Sequence, residues 1–246
     1  MHQEFSGSTA LVTGATAGIG RGVALRLAAL GAEVVVHGRD PGRGARVVAE
    51  AEDAGGRARF VAADLSDPRD VLRLPEAAGA VDVLVNNAGV YRFAGAADST
   101  AGMFDLHMAV NARAPLLLVG ALVPAMAARG RGAVVNLSTL AARVPTRRGA
   151  VYGASKAALE LMTRVWADEF GARGVRVNAV ASGPVRTPGT AEMGEDALAT
   201  VAHGTALDRV AELDEIVEAV VFLASDRAGY ITGAVLDVYG GQRAIG

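Results

Sequence analysis

The chain has 246 residues, with 24 basic and 26 acidic groups, a net charge of −2 and 51% hydrophobic residues. This length and apolar content predict one domain spanning residues 1–246, with a core large enough to fold without covalent or metal staples. The absence of cysteine excludes disulfides, thiolate nucleophiles and cysteine-ligated metal centres, and the four scattered histidines predict no metal site. A nearly balanced charge disfavours nucleic-acid binding.

Neither the first residues nor the apolar segments predict secretion or membrane insertion. The first nine residues lack the basic start and the apolar run of a signal peptide. The longest apolar stretch, Ala114–Ala128, contains two prolines and is shorter than the ~18 residues that a membrane span requires. A buried helix is the better interpretation, and we expect a cytoplasmic protein that does not bind membranes.

Short β-branched runs alternate along the chain with helical stretches rich in alanine and leucine. The predicted strands are Thr9–Thr13, Glu33–His37, Arg57–Ala62, Val81–Asn86, Gly132–Leu137, Arg176–Ala181 and Ala234–Val238. The predicted helices are Gly18–Leu30, Gly42–Ala54, Asp67–Ala78, Thr100–Arg129, Val151–Arg173 and Leu213–Ser225. This alternation predicts an α/β fold, a doubly wound sheet of about seven parallel strands with helices on both faces. Ligands of such sheets bind beyond the carboxyl ends of the strands.

A glycine-rich loop, Thr13–Gly20, follows the first predicted strand and leads directly into a helix. Its glycines stand at Gly14, Gly18 and Gly20. Glycines permit a tight turn and let the backbone approach a pyrophosphate, while the helix N-terminus offers free N–H groups to the phosphates. The loop therefore predicts a dinucleotide site, although its spacing differs from that of the commonest fingerprint.

Together with further motifs in the same order, this loop resembles the classical short-chain dehydrogenase/reductase family over nearly the whole chain. The other matching segments are Asn86–Gly89, the pair Tyr152 and Lys156, Gly183–Pro188, Tyr230–Gly233 and the final Gly240-Gly241. Length and motifs are similar to those of reductases of 3-oxoacyl groups on a carrier protein. The resemblance implies a Rossmann-type fold, a nicotinamide cofactor and a small-molecule carbonyl or alcohol substrate.

Tyr152 and Lys156 lie four positions apart on a predicted helix, so their side chains share one face. The resemblance assigns proton transfer with the substrate oxygen to Tyr152. It assigns to Lys156 the binding of the ribose hydroxyls and the tuning of Tyr152, and we expect its ammonium to lower the phenol pKa from the usual ~10. Lys156 is the only lysine in a chain that otherwise uses arginine. Because a planar guanidinium cannot replace a compact ammonium in a tight relay, this exception favours a catalytic role.

Two further catalytic residues are implied, and one departs from the family pattern. Relatives carry a serine thirteen positions before the tyrosine, where this sequence has Thr139. In a regular strand Ser138 points to the opposite face, and only a local irregularity would turn it inward. We therefore assign the substrate-orienting hydroxyl to Thr139. The fourth residue is Asn111, where the resemblance implies a distorted helix and a bound water of the proton relay.

The end of the second strand predicts which nicotinamide cofactor binds. Relatives that prefer NAD usually carry an aspartate at the position of Gly38, and that carboxylate would repel a 2′-phosphate. Arg39 follows here, and arginine binds phosphate through charge-assisted, bidentate bonds. The family's other NADP marker is a basic residue just before the second glycine of the loop, and this sequence has Ala17 there. The sequence thus predicts NADP(H), with NAD(H) as the alternative.

The resemblance implies the remaining contacts with the cofactor, and it implies no bound metal. They are Gly14, Thr16, Gly18, Ile19 and Gly20 at the phosphates, Asp64 and Leu65 at the adenine, Asn87, Ala88 and Gly89 after the fourth strand, and Pro184, Val185 and Thr187, with Tyr152 and Lys156, at the nicotinamide end. Asp64 has an alternative interpretation as the start of a turn.

Three functions follow. The leading one is an NADPH-dependent carbonyl reductase, with 3-oxoacyl thioesters among its candidate substrates. The second is an NAD-dependent dehydrogenase of a small alcohol, sugar or polyol. The third, a dinucleotide-binding regulator without turnover, is disfavoured by the intact Tyr152, Lys156 and Asn111. Tyr91, Arg92 and Phe93 are candidates for the substrate pocket, whereas the stretch between Pro188 and Leu213 contains no cluster that would hold a carboxylate.

The family's interfaces also predict the oligomeric state. Ala114–Ala128 and Val151–Arg173 correspond to the helices through which relatives dimerise, and the strand at 234–238 offers a second surface. Two isologous interfaces generate a D2 homotetramer, which is our expectation for this chain.

Overall fold

The computed structural model describes residues 3–187, 190 and 202–241. Half of the stretch between Pro188 and Leu213, namely residues 189 and 191–201, lies outside these residues. The strands are β1 (Thr9–Val12), β2 (Glu33–Gly38), β3 (Arg57–Ala62), β4 (Val83–Asn86), β5 (Gly132–Thr139), β6 (Val175–Ser182) and β7 (Val235–Val238). They form one sheet in the order β3-β2-β1-β4-β5-β6-β7, and every neighbouring pair is parallel. The predicted doubly wound sheet is confirmed.

Helices cover both faces of this sheet. They are α1 (Gly18–Ala29), α2 (Pro41–Asp53), α3 (Pro68–Ala78), α4 (Ala101–Met108), α5 (Ala114–Ala128), α6 (Ala150–Gly171) and α7 (Leu213–Ala224). One buried cluster packs α1, α2 and α7 against the sheet, and a second packs α3, α5 and α6 against the other face. Within β1, Val12 belongs to the first cluster and Leu11 to the second, as the two-residue period of a strand requires.

The order in which strands are added to the sheet reverses at β1, which pairs with β2 on one side and with β4 on the other. In open α/β sheets this switch in strand order opens a crevice at the carboxyl ends of the strands. The loop after β1 and the segment after β4 both emerge there. The fold therefore brings the glycine loop beside Asn87, Ala88 and Gly89.

The helix predicted over Thr100–Arg129 is not a regular α-helix throughout. A π-helical turn, Ala109–Arg113, separates α4 from α5, and the Ala114 N–H donates to the carbonyl of Ala109, five residues earlier. Proline at position 115 has no N–H to donate to the preceding turn, which accounts for the break in the α-helical pattern. Asn111 lies inside the π turn, where the resemblance implied a distortion.

Among the described helices, the continuous segment Ala101–Ala128 alone is long and apolar enough to cross a membrane. However, 56% of its most apolar window is buried inside the protein. Leu118, Val119 and Met126 of this segment lie in the second core cluster. The segment is thus placed as a core helix, as the sequence predicted for Ala114–Ala128.

Candidate active site

The glycine loop is fixed from both neighbouring strands. Gly14 has a φ of +63°, and a Cβ there would lie 2.8 Å from the Cα of Ala88, so only glycine fits. The amide of Asn87 donates to the carbonyls of Thr13 (2.8 Å) and Gly14 (3.1 Å). The segment after β4 therefore sets the shape of the loop after β1. Asn87 is predicted to contact the cofactor, and in this structure its side-chain amide holds the loop.

Thr13 and His37 support the loop, and sequence reasoning missed both. The Thr13 hydroxyl accepts from the backbone N–H groups of Asn87 (3.0 Å) and Ala88 (3.1 Å). His37 Nδ1 accepts from the Gly14 N–H (3.1 Å), and its Nε2 lies 3.1 Å from the carbonyl oxygen of residue 63. Burial lowers the pKa of His37, so the ring is neutral and one nitrogen accepts while the other donates.

The N-terminus of α1 faces the segment after β6. No side chain caps this helix end, and a Cβ at Gly18 would lie 3.9 Å from Cγ2 of Thr187. The Pro184 carbonyl accepts from the Ala211 N–H at 3.0 Å, and Val185 forms a bridge with the same residue. The first N–H groups of α1, from Gly18, Ile19 and Gly20, are thus in a position to bind phosphate.

At the far end of the crevice, Arg39 is exposed, and its side chain makes no hydrogen bond or ion pair with any described residue. Nearby Arg43 pairs instead with Asp40 at 3.2 Å. A Cβ at Gly38 would lie 2.5 Å from Cγ2 of Thr16, so an aspartate there would require Thr16 to move. The space that a carboxylate at position 38 would need is thus occupied by the side chain of Thr16.

The predicted adenine contacts have structural roles as well. Asp64 Oδ1 accepts from the backbone N–H and the hydroxyl of Ser66, at 2.9 and 2.8 Å. The turn interpretation of Asp64 therefore describes this structure. Leu65 is 5% exposed and packs in the second core cluster, so its backbone is the part that remains available to a ligand.

Tyr152 and Lys156 lie on α6 beside the carboxyl end of β5. The Lys156 ammonium is buried and donates to the Leu137 carbonyl at 2.6 Å, and desolvation lowers its pKa to about 8. A Cβ at Gly89 would lie 3.3 Å from Asn111 Oδ1 and 3.5 Å from Lys156 Nζ. A side chain at position 89 would therefore crowd the polar groups of Asn111 and Lys156, which glycine leaves unobstructed.

The two neighbouring hydroxyls of β5 point to opposite sides. The register with β6 is regular to the end of the strand, pairing Ser138 with Ala181 and Thr139 with Ser182, so no bulge interrupts it. The Thr139 side chain lies close enough to the Tyr152 phenol to act on its pKa, and it also accepts from the Ala141 N–H at 3.3 Å. The structure therefore brings Thr139 to Tyr152, as the alternation of the strand predicts. Ser138 instead donates to a buried carboxylate on α6.

The protonation of Tyr152 differs from the sequence expectation. Burial raises the pKa of Tyr152, and the hydrogen bond from Thr139 offsets only part of this effect. Lys156 was expected to lower that pKa, but its ammonium is directed to the Leu137 carbonyl. In this structure Tyr152 is therefore a neutral phenol at pH 7, a proton donor rather than an acceptor.

Asn111 clamps the segment after β4 to α6. Its Oδ1 accepts from the Val90 N–H, and its Nδ2 donates to the Val90 carbonyl and to the hydroxyl of Ser155, each at 2.9 Å. These contacts occupy the side-chain amide, so a relay water of the kind the resemblance implies would have to share or replace one of them.

Aromatic side chains line one side of Tyr152. The Phe93 ring packs edge-on against the Tyr152 ring, with centroids 5.7 Å apart, and buried His107 lies at 6.4 Å. The Nε2 of His107 accepts from the Arg92 N–H at 3.1 Å and thereby holds this segment in place. Tyr91 and Phe93 were pocket candidates from sequence. His107 was not, because its partner lies on a distant loop.

A parallel sheet with a glycine loop at its switch point and a tyrosine–lysine pair beside it defines a class of nicotinamide-dependent oxidoreductases. The chain belongs to the short-chain dehydrogenase/reductase family. A family model described as enoyl-(acyl carrier protein) reductase matches residues 14–243. Relatives with a named activity include dehydrogenases and a reductase that act on CH–OH groups. This chain is an oxidoreductase that uses NAD(P).

Three relatives illustrate the range of similar proteins. The chain is 38% identical to cis-4-hydroxycyclohexanecarboxylate dehydrogenase of Sinomonas cyclohexanicum, covering 100% of both chains. It is 50% identical to a solved short chain dehydrogenase/reductase family protein, with a TM-score of 0.91 over 97% of this chain and 98% of the other. A 3-oxoacyl (acyl-carrier-protein) reductase from Agrobacterium tumefaciens, solved with NADP bound, is 31% identical with a TM-score of 0.93 over 98% and 96%.

Because Lys156 is the only lysine, its titration can be followed directly. In protein labelled with ¹³C-lysine, we expect the single lysine Cε resonance to titrate near pH 8. The pKa of an unperturbed lysine is 10.5, so between about pH 8 and 10.5 the unfolded chain binds this proton more tightly than the folded one. The desolvation cost is fully present below pH 8, and the free energy of unfolding rises with pH through this window.

The control is the same sample in denaturant, where the resonance should titrate near 10.5. A midpoint above pH 10 in the folded protein would contradict the burial of the ammonium.

Proposed function

We propose that this protein is an NADPH-dependent carbonyl reductase that converts a ketone into a secondary alcohol. The observation that carries this proposal is the placement of the Tyr152 phenol on α6 beside Thr139 at the end of β5, with the Phe93 ring packed against it. A reductase needs a proton donor at neutral pH, and the phenol of Tyr152 carries its proton there, although its raised pKa makes it a weaker acid than a free tyrosine.

The bound nicotinamide cofactor supplies the hydride. Thr139 and Tyr152 both donate hydrogen bonds to the substrate carbonyl oxygen, which positions the carbonyl and stabilises the charge that develops on it. Tyr152 then transfers its proton to that oxygen. Lys156, whose ammonium donates to the Leu137 carbonyl, has further N–H groups with which to bind the ribose hydroxyls of the cofactor.

The side of the pocket formed by Tyr91 and Phe93 supports a substrate with an apolar body. These side chains are 59% and 47% exposed next to Tyr152, although the whole chain contains only 4% aromatic residues. Exposed aromatic rings beside a reacting group are typical of a surface that binds an apolar ligand. We propose that the ketone is carried by a carbocyclic ring or by the acyl chain of a 3-oxoacyl thioester.

A substrate panel with both cofactors tests this function. A 4-oxocyclohexanecarboxylate, a 3-oxoacyl thioester and an open-chain ketose are incubated with NADPH or NADH, and the absorbance of the reduced nicotinamide is followed. We expect turnover of the first or second substrate with NADPH. Reaction only of the ketose with NADH would favour the polyol dehydrogenase, and tight NADPH binding without any turnover would favour the regulator.

We infer the preference for NADPH from Arg39 and Gly38. Arg39→Ala is expected to weaken NADPH binding by about 10- to 100-fold, since a hydrogen bond to a charged group contributes ~1.5–3 kcal/mol. NADH, which lacks the 2′-phosphate, should bind almost unchanged. Cofactor fluorescence titrations measure both dissociation constants.

Arg46→Ala is the matched control, because Arg46 is also exposed and has no partner among the described residues. Equal losses of affinity for both cofactors in the Arg39 variant would show that Arg39 only stabilises the turn.

We also propose that the enzyme is a homotetramer. Apolar side chains stay exposed on the expected interfaces, namely Leu116 (47%) on α5, Leu161 (62%) and Val165 (54%) on α6 and Leu236 (37%) on β7. Sedimentation velocity at micromolar concentration should show a species four times the 25.0 kDa mass of one chain. A single 25.0 kDa species would contradict this prediction. The cytoplasm is the compartment we propose, since the span-like helix Ala101–Ala128, the one found among the described residues, packs in the core.

A further inference from the structure

A buried carboxylate lies behind the hydroxyl that the proposed function uses. Glu160 follows Lys156 by one turn of α6, and its side chain is only 3% exposed. Its Oε1 accepts a hydrogen bond from Ser138 at 2.7 Å, and its Oε2 lies 3.3 Å from the Nε of Arg143. A charge this deeply buried is costly unless it is paired, and these two contacts pair it.

The two partners of Glu160 lie on either side of Thr139 in the chain. Ser138 is the residue before it, and Arg143 follows the single 3-10 turn Leu140–Ala142, whose N-terminus is capped by the Thr139 side chain. Arg143 also binds Asp237 on β7 through a bond of 3.2 Å. The carboxylate thus ties both ends of a short segment to α6, while Asp237 holds the same arginine from the sheet.

We propose that Glu160 is a positioning residue that fixes the segment 138–143 so that the Thr139 hydroxyl meets Tyr152 and the substrate carbonyl. This inference rests on the proposed function. Ser138 and Thr139 point to opposite sides of β5, so anchoring one sets the direction of the other. Thr139 and Tyr152 stand on different elements, β5 and α6. Two charged side chains of α6 link these elements: Lys156 binds the Leu137 carbonyl, and Glu160 binds the hydroxyl next to Thr139. An apolar side chain would fill the same volume without the cost of a buried charge.

Glu160→Gln is the first test, because glutamine keeps the shape and accepts from Ser138 but loses the charge that pairs with Arg143. We expect kcat for ketone reduction to fall about 10-fold, since small displacements of a catalytic group are costly, while the KM for NADPH stays unchanged. Arg143→Gln should give the same loss of kcat, and Arg143→Lys should restore part of it. Asp168→Asn, an exposed acid on the same helix, is the control and should behave like the parent protein.

A double-mutant cycle separates positioning from general stability. If Glu160 acts through Thr139, Glu160→Gln should have almost no further effect on kcat in a Thr139→Ala background. The same 10-fold loss in both backgrounds, or a lowered melting temperature with unchanged kcat, would overturn the inference. If Glu160→Gln does not fold, the Arg143 variants carry the same cycle. Failure of the proposed function is recognised separately, because Tyr152→Phe would then also leave kcat unchanged.

Discussion

Replacing Tyr152 with phenylalanine is expected to lower kcat for ketone reduction by about 10³-fold, within the range that one general acid contributes. The ring and its edge-on contact with Phe93 are retained, so the pocket keeps its shape while the transferable proton is lost. NADPH binding, followed by fluorescence, should change little. The expected signature is therefore a loss of kcat with an almost unchanged dissociation constant for the cofactor.

Tyr230→Phe is the matched control, because Tyr230 is fully exposed and has no place in the proposed chemistry. The pH profile adds a second readout. Burial raises the pKa of Tyr152, so reduction, which needs the phenol, should persist to alkaline pH, and alcohol oxidation, which needs the phenolate, should accelerate as pH rises. Both limbs should disappear in Tyr152→Phe. Full activity of this variant towards a confirmed substrate would overturn the enzymatic mechanism.

The fold could be predicted from sequence because its signals are local. The β-branched runs mark strands such as Glu33–Gly38 to within one residue, and their alternation with helices dictates parallel pairing. The π turn at Ala109–Arg113 was not predicted as such from periodicity. The helix that follows it is apolar on nearly all sides, so its pattern does not reveal the phase shift that one extra residue causes. The family resemblance alone pointed to a distortion at Asn111.

The candidate site was predictable only where residues carry a motif. Gly14, Tyr152 and Lys156 stand at recognisable spacings, and the structure places each at the crevice. His37 and Glu160 carry no such pattern, because their partners are brought together by tertiary structure rather than by sequence spacing. The assigned roles stay predictions until they are measured.

The pKa of Tyr152 is a further property that sequence spacing could not predict. A spacing of four residues places the side chains of Tyr152 and Lys156 on one face of α6, but it cannot show what else attracts the ammonium. The carbonyl at the end of β5 binds it at 2.6 Å, and burial then dominates the phenol. Helical spacing predicted the proximity of the pair and not its electrostatics.

The hydroxyl of Thr139, to which we assign the orientation of the substrate carbonyl, gives the second large expected effect. Thr139→Ala is expected to slow turnover by about 10²–10³-fold, as for the loss of one preorganised donor to a developing oxyanion. Thr139→Ser should keep or increase activity, because the hydroxyl stays and the methyl group that crowds the pocket is removed. Steady-state kcat with a ketone and NADPH measures all three proteins, with NADPH binding as the check that the cofactor site is intact.

Ser138→Ala separates the two adjacent hydroxyls. Since Ser138 donates to Glu160 at 2.7 Å on the other side of β5, its removal should cost much less activity than Thr139→Ala. A severe defect in Ser138→Ala together with a silent Thr139→Ala would mean that the working enzyme has shifted the register of β5, turning the serine to the substrate. The regular pairing of Ser138 with Ala181 and of Thr139 with Ser182 argues for the opposite result. We therefore expect that threonine in place of the family's serine keeps the donor and adds a methyl group beside the substrate carbonyl.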